Sequence, residues 1–205
     1  MTPAVLDYHA TPAVQEVIDR LGRTEDIRFS PSRKRLAFSA FEDGRIVVLE
    51  IAVTPSPSGP LIFLSDYVMF SSKNIEHPHG MAFIDEDTLV VANRTQFVSI
   101  FRIPPAGGVE KEFVIKPLRI IWRNRFRRLD SPGSVDVYPI GMEEGGTKGV
   151  DVDPDSGVLA MTCEHQPLTF YVLETFLNQE AYTLNEAIRS SGSLPITGTM
   201  ASSAG

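Results

Sequence analysis

The spacing of apolar positions changes near Asp26. Before it, Val14, Val17, Ile18 and Leu21 recur at helical intervals; after it, short apolar runs alternate with clusters of Pro, Gly, Asp and Ser. The first pattern is one face of an amphipathic helix. Thr11 supplies an N-cap oxygen, Pro12 presets the first turn and Gly22 ends it, so a short helix is predicted between them. Such a helix suits the covering of a sheet edge or one end of a fold. Residues 1–10 show no pattern.

From Asp26 the runs read as strands. Ile27–Phe29, Arg35–Ser39 and Ile46–Ile51 are separated by Ser30-Pro31-Ser32-Arg33-Lys34 and by Glu42-Asp43-Gly44, which is hairpin punctuation. Leu61–Phe70 supplies a fourth, outer strand. The unit then recurs. Met81-Ala82-Phe83, the turn Asp85-Glu86-Asp87, Thr88–Val91 and Val98–Ile103 form a second copy. Val150-Asp151-Val152, the turn Asp153–Gly157, Val158–Met161 and Leu168–Leu173 form a third. Phe83, Leu89, Val91 and Phe101 are assigned to the core. The second spacing exceeds the first, so residues 104–147 carry an insertion. Within it, Glu112–Ile121 reads as the outer strand of the second unit, with Pro117 at an edge or bulge, and Val135–Ile140 as a further short strand.

The chain divides into an N-terminal segment with the helix (1–25), a body of β-units (26–175) and a C-terminal part (176–205). In the last, Thr183 and Glu186 form a capping box for a short helix through Ile188. The small, polar tail beyond it has the composition of a disordered segment. Three to four antiparallel units in series predict an all-β fold, a partial β-propeller. A closed ring needs about four blades or more. A half propeller that dimerises, an irregular small ring and a part of a longer propeller all fit; the loss of pattern after Leu173 favours the last. An open array leaves unpaired strand edges, and self-association through such an edge is expected.

Composition narrows the partners. The 205 residues carry a net charge of -7, which excludes a dedicated phosphate-binding surface, so no nucleic acid is expected. Arg119–Arg128 is basic locally and reads as an edge strand guarded by arginines. Cys163 is the one cysteine, so no intrachain disulfide can form. The N-terminus lacks the basic and apolar regions of a signal peptide, and no apolar run approaches the roughly 20 residues of a membrane span. A cytoplasmic, soluble protein without membrane contact is expected.

Candidate chemistry gathers at the turns. His77 and His79 flank Pro78 ahead of Gly80. Glu25 and Lys148 match His79 in the first and third units. Asn93 and Arg94 follow the second strand of their unit, and Glu164 and His165 stand in the matching place after Cys163. Turns leading into the innermost strand lie near a propeller's central channel. Glu25, His77, Asn93, Arg94, Lys148, Glu164 and His165 are therefore the candidate ligand-binding set, with His79 the candidate for proton transfer near neutral pH. Asp151, Asp153 and Asp155 look like a metal loop. Ser156 and Thr162, however, stand where the EF-hand pattern needs Gly and a bidentate Glu, so a hairpin turn is the better reading. No phosphate-binding Gly loop, CxxC, HExxH or GxSxG occurs.

The segments FSPSRKRLAF, HPHGMAFIDEDTLVVANR and VDVDPDSGVLAMT resemble the six-bladed gluconolactonase, NHL and paraoxonase-like lactonase propellers. Pro78-His79-Gly80 is similar to the PHGI segment of the paraoxonase-like lactonases, whose histidine sits in the active site. The resemblance implies that His79 is the base that activates water against a lactone or ester carbonyl. It also implies a divalent cation such as calcium, to which Asn93 would give one oxygen. Arg94 beside it, and Ala40-Phe41 at the matching place in the first unit, depart from an oxygen ligand set. Two functions follow. One is a lactonase-like domain that binds a small molecule at the channel mouth, a hydrolase if it is an enzyme. The other is a non-catalytic scaffold that binds a protein partner. Fold alone does not decide between them.

Overall fold

The structure of the chain, a computed structural model, describes residues 7–57, 59–94, 97–122, 146–163, 166–172 and 188–189. Strand β1 (Tyr8–Ala10) and helix α1 (Pro12–Asp19) precede three sheets. The first sheet is built on β2 (Thr24–Phe29), β3 (Arg35–Ala40), β4 (Arg45–Thr54) and β5 (Leu61–Ser71). The second comprises β6 (Pro78–Asp85), β7 (Thr88–Asn93), β8 (Phe97–Arg102) and, after β9 (Glu112–Val114), β10 (Arg119–Trp122). The third comprises β11 (Thr147–Asp153), β12 (Val158–Cys163), β13 (Gln166–Val172) and β14 (Ile188–Arg189). Each is an antiparallel meander that runs outward from its first strand. The inner strands β2, β6 and β11 pack side by side in that order. Among the described residues the fold is all-β with one short helix: a partial β-propeller of three described blades. Among the described residues no helix is long and apolar enough to cross a membrane.

Alternation along the strands builds the core. Ala37, Ile46, Val48, Val68 and Phe70 project from one face of blade 1 onto Met81, Phe83, Leu89, Val91, Phe101 and Ile103. The other face of blade 2, with Ala82, Val90, Ala92, Val98 and Ile100, meets Val150, Leu159 and Met161 of blade 3. Blade 2 is thus packed on both faces, which is why β7 reads TLVVAN, buried at every position. Burial of a side chain such as Leu89 or Phe101, both 0% exposed, contributes roughly 2–3 kcal/mol.

The predicted helix starts where its caps place it and ends at Asp19, with Arg20 as its C-cap, ahead of Gly22. The Val14 amide donates to Thr11 Oγ1 at 3.4 Å, and Pro12 opens the first turn. Val14, Val17 and Leu21 lie on Leu36, Ala40, Val47, Leu49, Ile51, Leu64, Tyr67 and Met69. Helix α1 therefore covers the face of blade 1 that points away from blade 2.

Several elements differ from expectation. Blade 1 starts at Thr24 rather than Asp26, because Thr24 pairs with Ala40. Glu112–Ile121 is not one strand. Pro117 lacks an amide donor, and the chain changes partner across it. Before it, β9 pairs parallel with β5 at Met69–Ser71; after it, β10 pairs with β8 and completes blade 2. Strand β1, in a stretch without pattern, pairs parallel with the other half of the same β5 edge, at Ile62–Leu64. The outer edge of blade 1 is thus occupied. Of the helix expected through Ile188, residues 183–187 lie outside the described residues, and Ile188 itself belongs to β14, opposite Phe170. The strand expected at Val135–Ile140 and the tail lie outside them too.

Turns tie blade 2 to blade 1. The Glu86 carboxylate accepts from the Ser32 amide and, at 2.9 Å, from the Ser32 hydroxyl. Arg35 donates to the Glu86 carbonyl, to Asp87 and to Glu50. Burial pushes the Glu86 carboxyl up, but the Ser32 and Ser30 donors and the Arg35 guanidinium outweigh it and hold it below the ordinary 4.5. A folded-state pKa below the unfolded one gives stability that is present above the unfolded value and fades as pH falls through the folded value. Glu86→Gln is expected to cost about 1 kcal/mol at neutral pH and less at about pH 3. Urea melts at the two pH values check this; equal losses at both would refute it.

Candidate functional site

Each inner strand opens with the same irregularity. The pairing register shifts between Thr24 and Ile27 in β2, between Pro78 and Met81 in β6, and between Thr147 and Val150 in β11. The residues inside the shift are Glu25-Asp26, His79-Gly80 and Lys148-Gly149. A bulge bends the strand and re-aims a side chain, and here it recurs at the three positions that the repeat makes equivalent.

Blade 1 holds the backbone of the middle bulge. The Met81 amide donates to Asp26 Oδ2 at 2.7 Å, and Arg28 Nε donates to the Met81 carbonyl at 2.9 Å. Ser39 Oγ donates to the His79 carbonyl at 3.1 Å while accepting from the Asp26 amide. Blade 3 closes from the other side. A Cβ on Gly80 would stand 2.4 Å from the Lys148 carbonyl oxygen and 3.0 Å from the Val150 nitrogen, so only glycine admits β11 this close. The Thr147 hydroxyl donates to the Asn93 carbonyl.

These contacts assemble a cluster at one end of blades 1 and 2. Glu25 Oε2 lies 3.4 Å from His79 Nε2, and Glu25 Oε1 contacts the Arg23 guanidinium. His77 is exposed, with φ of 48°, and stacks on Phe41 at 4.9 Å between ring centroids. The Arg23 guanidinium lies 4.5 Å from the Phe41 centroid and that of Arg94 5.9 Å from it, both within cation–π range. The Arg94 amide donates to the His77 carbonyl, which fixes the unusual turn.

The candidates separate accordingly. Glu25, His77, His79 and Arg94 come together. Lys148 joins through its backbone, behind Gly80. Asn93 does not face the cluster: it is 0% exposed, its Oδ1 accepts from the Glu76 amide, and its Nδ2 donates to the Val91 carbonyl and Ser99 Oγ. It clamps the end of β7. With its oxygen so engaged and a guanidinium next to it, the residues present do not fit the cation that the resemblance implies. Glu164 and His165 lie outside the described residues. Phe41 and Arg23 complete the cluster without a motif in the sequence to mark them; Phe41 stands in the turn after β3, at the place Arg94 takes after β7.

Chemically the cluster offers two things. One is an imidazole oriented by a carboxylate. The other is an aromatic ring flanked by guanidinium groups and a second imidazole, a surface suited to an apolar or planar group.

No family model matches the sequence, and no curated protein matches it. Among solved structures the chain is similar to the crystal structure of RRP9 WD40 repeats, at 13% identity and a TM-score of 0.42. The similarity covers 71% of this chain and 36% of that one, so the chain spans about a third of that structure's length. The blades described above establish a propeller fold; membership of the lactonase group does not follow from it.

The close approach at Gly80 is measurable. Gly80→Ala is expected to destabilise the fold by roughly 2–3 kcal/mol through overpacking against β11 backbone. Chemical denaturation checks it, and an unchanged midpoint would mean that β6 and β11 lie further apart.

Proposed function

We propose that the chain is a non-catalytic β-propeller module that binds a protein partner at the end of blades 1 and 2, over Phe41 and His77. The carrying observation is the His77–Phe41 stack with Arg23 and Arg94 against the same ring. Aromatic and arginine side chains are the residues enriched in interface cores. Here they are held before any partner arrives, by the Arg94 amide on His77 and by Glu25 on Arg23, which lowers the ordering cost of binding. His79, the residue hydrolysis would need, is turned onto a carboxylate that Arg23 already holds, and this suits a structural tie. The net charge of -7 fits a protein partner better than a nucleic acid. The cytoplasm is the compartment of this reading, on the strength of the single cysteine.

A second reading rests on the Glu25–His79 contact. In a lactonase-like domain, Glu25 would fix the imidazole through Nε2. Nδ1 would then take the proton of a water that attacks a lactone or ester carbonyl and return it to the leaving oxygen as the ring or ester C–O bond breaks. Arg94, Lys148 and His77 would line the small-molecule site.

The two readings part experimentally. A photo-crosslinking residue in place of exposed Glu42, beside Phe41, should capture a partner, whose binding is then measured with both proteins purified. Phe41→Ala and Arg23→Ala should each weaken that binding roughly tenfold or more. A panel of lactones and aryl esters should show no turnover. Turnover that His79→Ala abolishes and Glu25→Gln reduces would overturn the scaffold reading and establish the second.

A further inference from the structure

The inner strand of every blade carries two apolar residues that face the preceding blade. In blade 2 they are Met81 and Phe83, 0% and 9% exposed beneath blade 1. In blade 3 they are Val150 and Val152, packed under blade 2. In blade 1 the equivalents are Ile27 and Phe29, and they are 49% and 55% exposed. Their register opposite Phe38 and Leu36 puts them on the face that α1 covers further out, over β3, β4 and β5. The result is an apolar strip over β2, built like a buried inter-blade surface.

What buries such a strip elsewhere in this chain is the face a blade turns to its successor. In blade 1 that face has Arg28 opposite Ala37 on its inner strands; in blade 3 the equivalent pair is Asp151 opposite Ala160. Asp151 and Thr162 are exposed there, and Val158 and Ala160 are half-buried. The turns agree in charge. Between blades 1 and 2 the hairpin turns join through opposite polarity, Ser32 and Arg35 on one side and Glu86 and Asp87 on the other. The turn of blade 1 also presents exposed Arg33 and Lys34, whereas the turn of blade 3 presents exposed Asp153 and Asp155.

We propose that the strip of Ile27 and Phe29 is a docking surface for blade 3 of a second copy of this chain, joined head to tail so that its acidic turn lies beside Arg33 and Lys34. The contact repeats the geometry by which blade 1 receives blade 2, with the polarity of the two turns exchanged. It is heterologous, so two copies close on themselves if the rotation returns and extend otherwise. It uses a face distinct from the Phe41 cluster.

Sedimentation equilibrium and light scattering on the full chain, from micromolar to millimolar concentration, test this. A species of at least twice the 22.6 kDa chain mass is expected, weakened by added salt. Phe29→Asp should raise its dissociation constant roughly tenfold or more, with the monomer's circular dichroism and melting point retained because the residue is half-exposed. Lys34→Glu and Asp155→Lys should each weaken association by setting like charges against each other, and mixing the two variants should restore it, because one junction then has the native charge pair and the other the same pair reversed. A monomer at every concentration overturns the proposal. So does an oligomer indifferent to Phe29→Asp and to the charge variants, which would assign association to another surface, such as a strand edge.

Discussion

The partial propeller depends on how the inner strands of neighbouring blades hold one another. An inner strand has a ladder partner on one side only, so its remaining amides and carbonyls need partners from elsewhere. At Met81 both groups are taken by side chains of β2: Asp26 accepts from the amide and Arg28 donates to the carbonyl. The same two residues form an ion pair at 3.2 Å, so the clamp is internally neutral. Apolar contacts between blade faces are non-directional and would tolerate sliding. The clamp fixes the axial position of blade 2 against blade 1, and through it the register in which Phe83 and Phe101 meet Val48 and Phe70.

The site is a consequence of that clamp. The bulge at His79-Gly80 and the bulge at Glu25-Asp26 are brought level, and His79 meets Glu25 because Asp26 and Ser39 hold the adjoining backbone. Blade 3 uses a different device at the same level, a glycine that lets β11 approach and a threonine hydroxyl on the Asn93 carbonyl. Blades that look alike in their hydrophobic pattern are therefore joined by different polar chemistry at each seam. A set of equivalent positions around a propeller end need not be a set of equivalent roles. Glu25 and His79 are in contact through their side chains, and the Lys148 carbonyl stands behind Gly80.

The sequence exposed what is local. Period-2 alternation and Pro, Gly and Asp turns located the hairpins, because a hairpin's register is set by its own turn. The turn at Asp153 formed as read, with the Gly157 amide on the Asp153 carbonyl at 2.9 Å. The capping signals of Thr11 and Pro12 located α1 for the same reason. Long-range pairing was not legible. Strands β1 and β9 are three residues each and join β5 in parallel, and nothing within so short a stretch names a partner fifty residues away in the manner a turn does. His79 and Glu25 were legible as neighbours because the repeat aligned them. Phe41 was not, because an aromatic residue beside a turn carries no sign of the cations that will flank its ring.

The N-terminal helix shows what one element can and cannot replace. A helix is about 10 Å across, and neighbouring strands stand about 4.8 Å apart, so it spans about two strand spacings of a blade four strands wide. Val14 and Val17 are 0% and 1% exposed and Ile18 is half-buried, so α1 buries most of its own stripe and covers the middle of the outer strands of blade 1. It cannot also reach β2 without leaving β5 bare. A blade has a flat face matched to another blade, and a helix, being a cylinder, matches only part of it. The exposure of Ile27 and Phe29 is therefore a geometric remainder of the helix solution, located on the one strand of the face that lies beyond the helix's width.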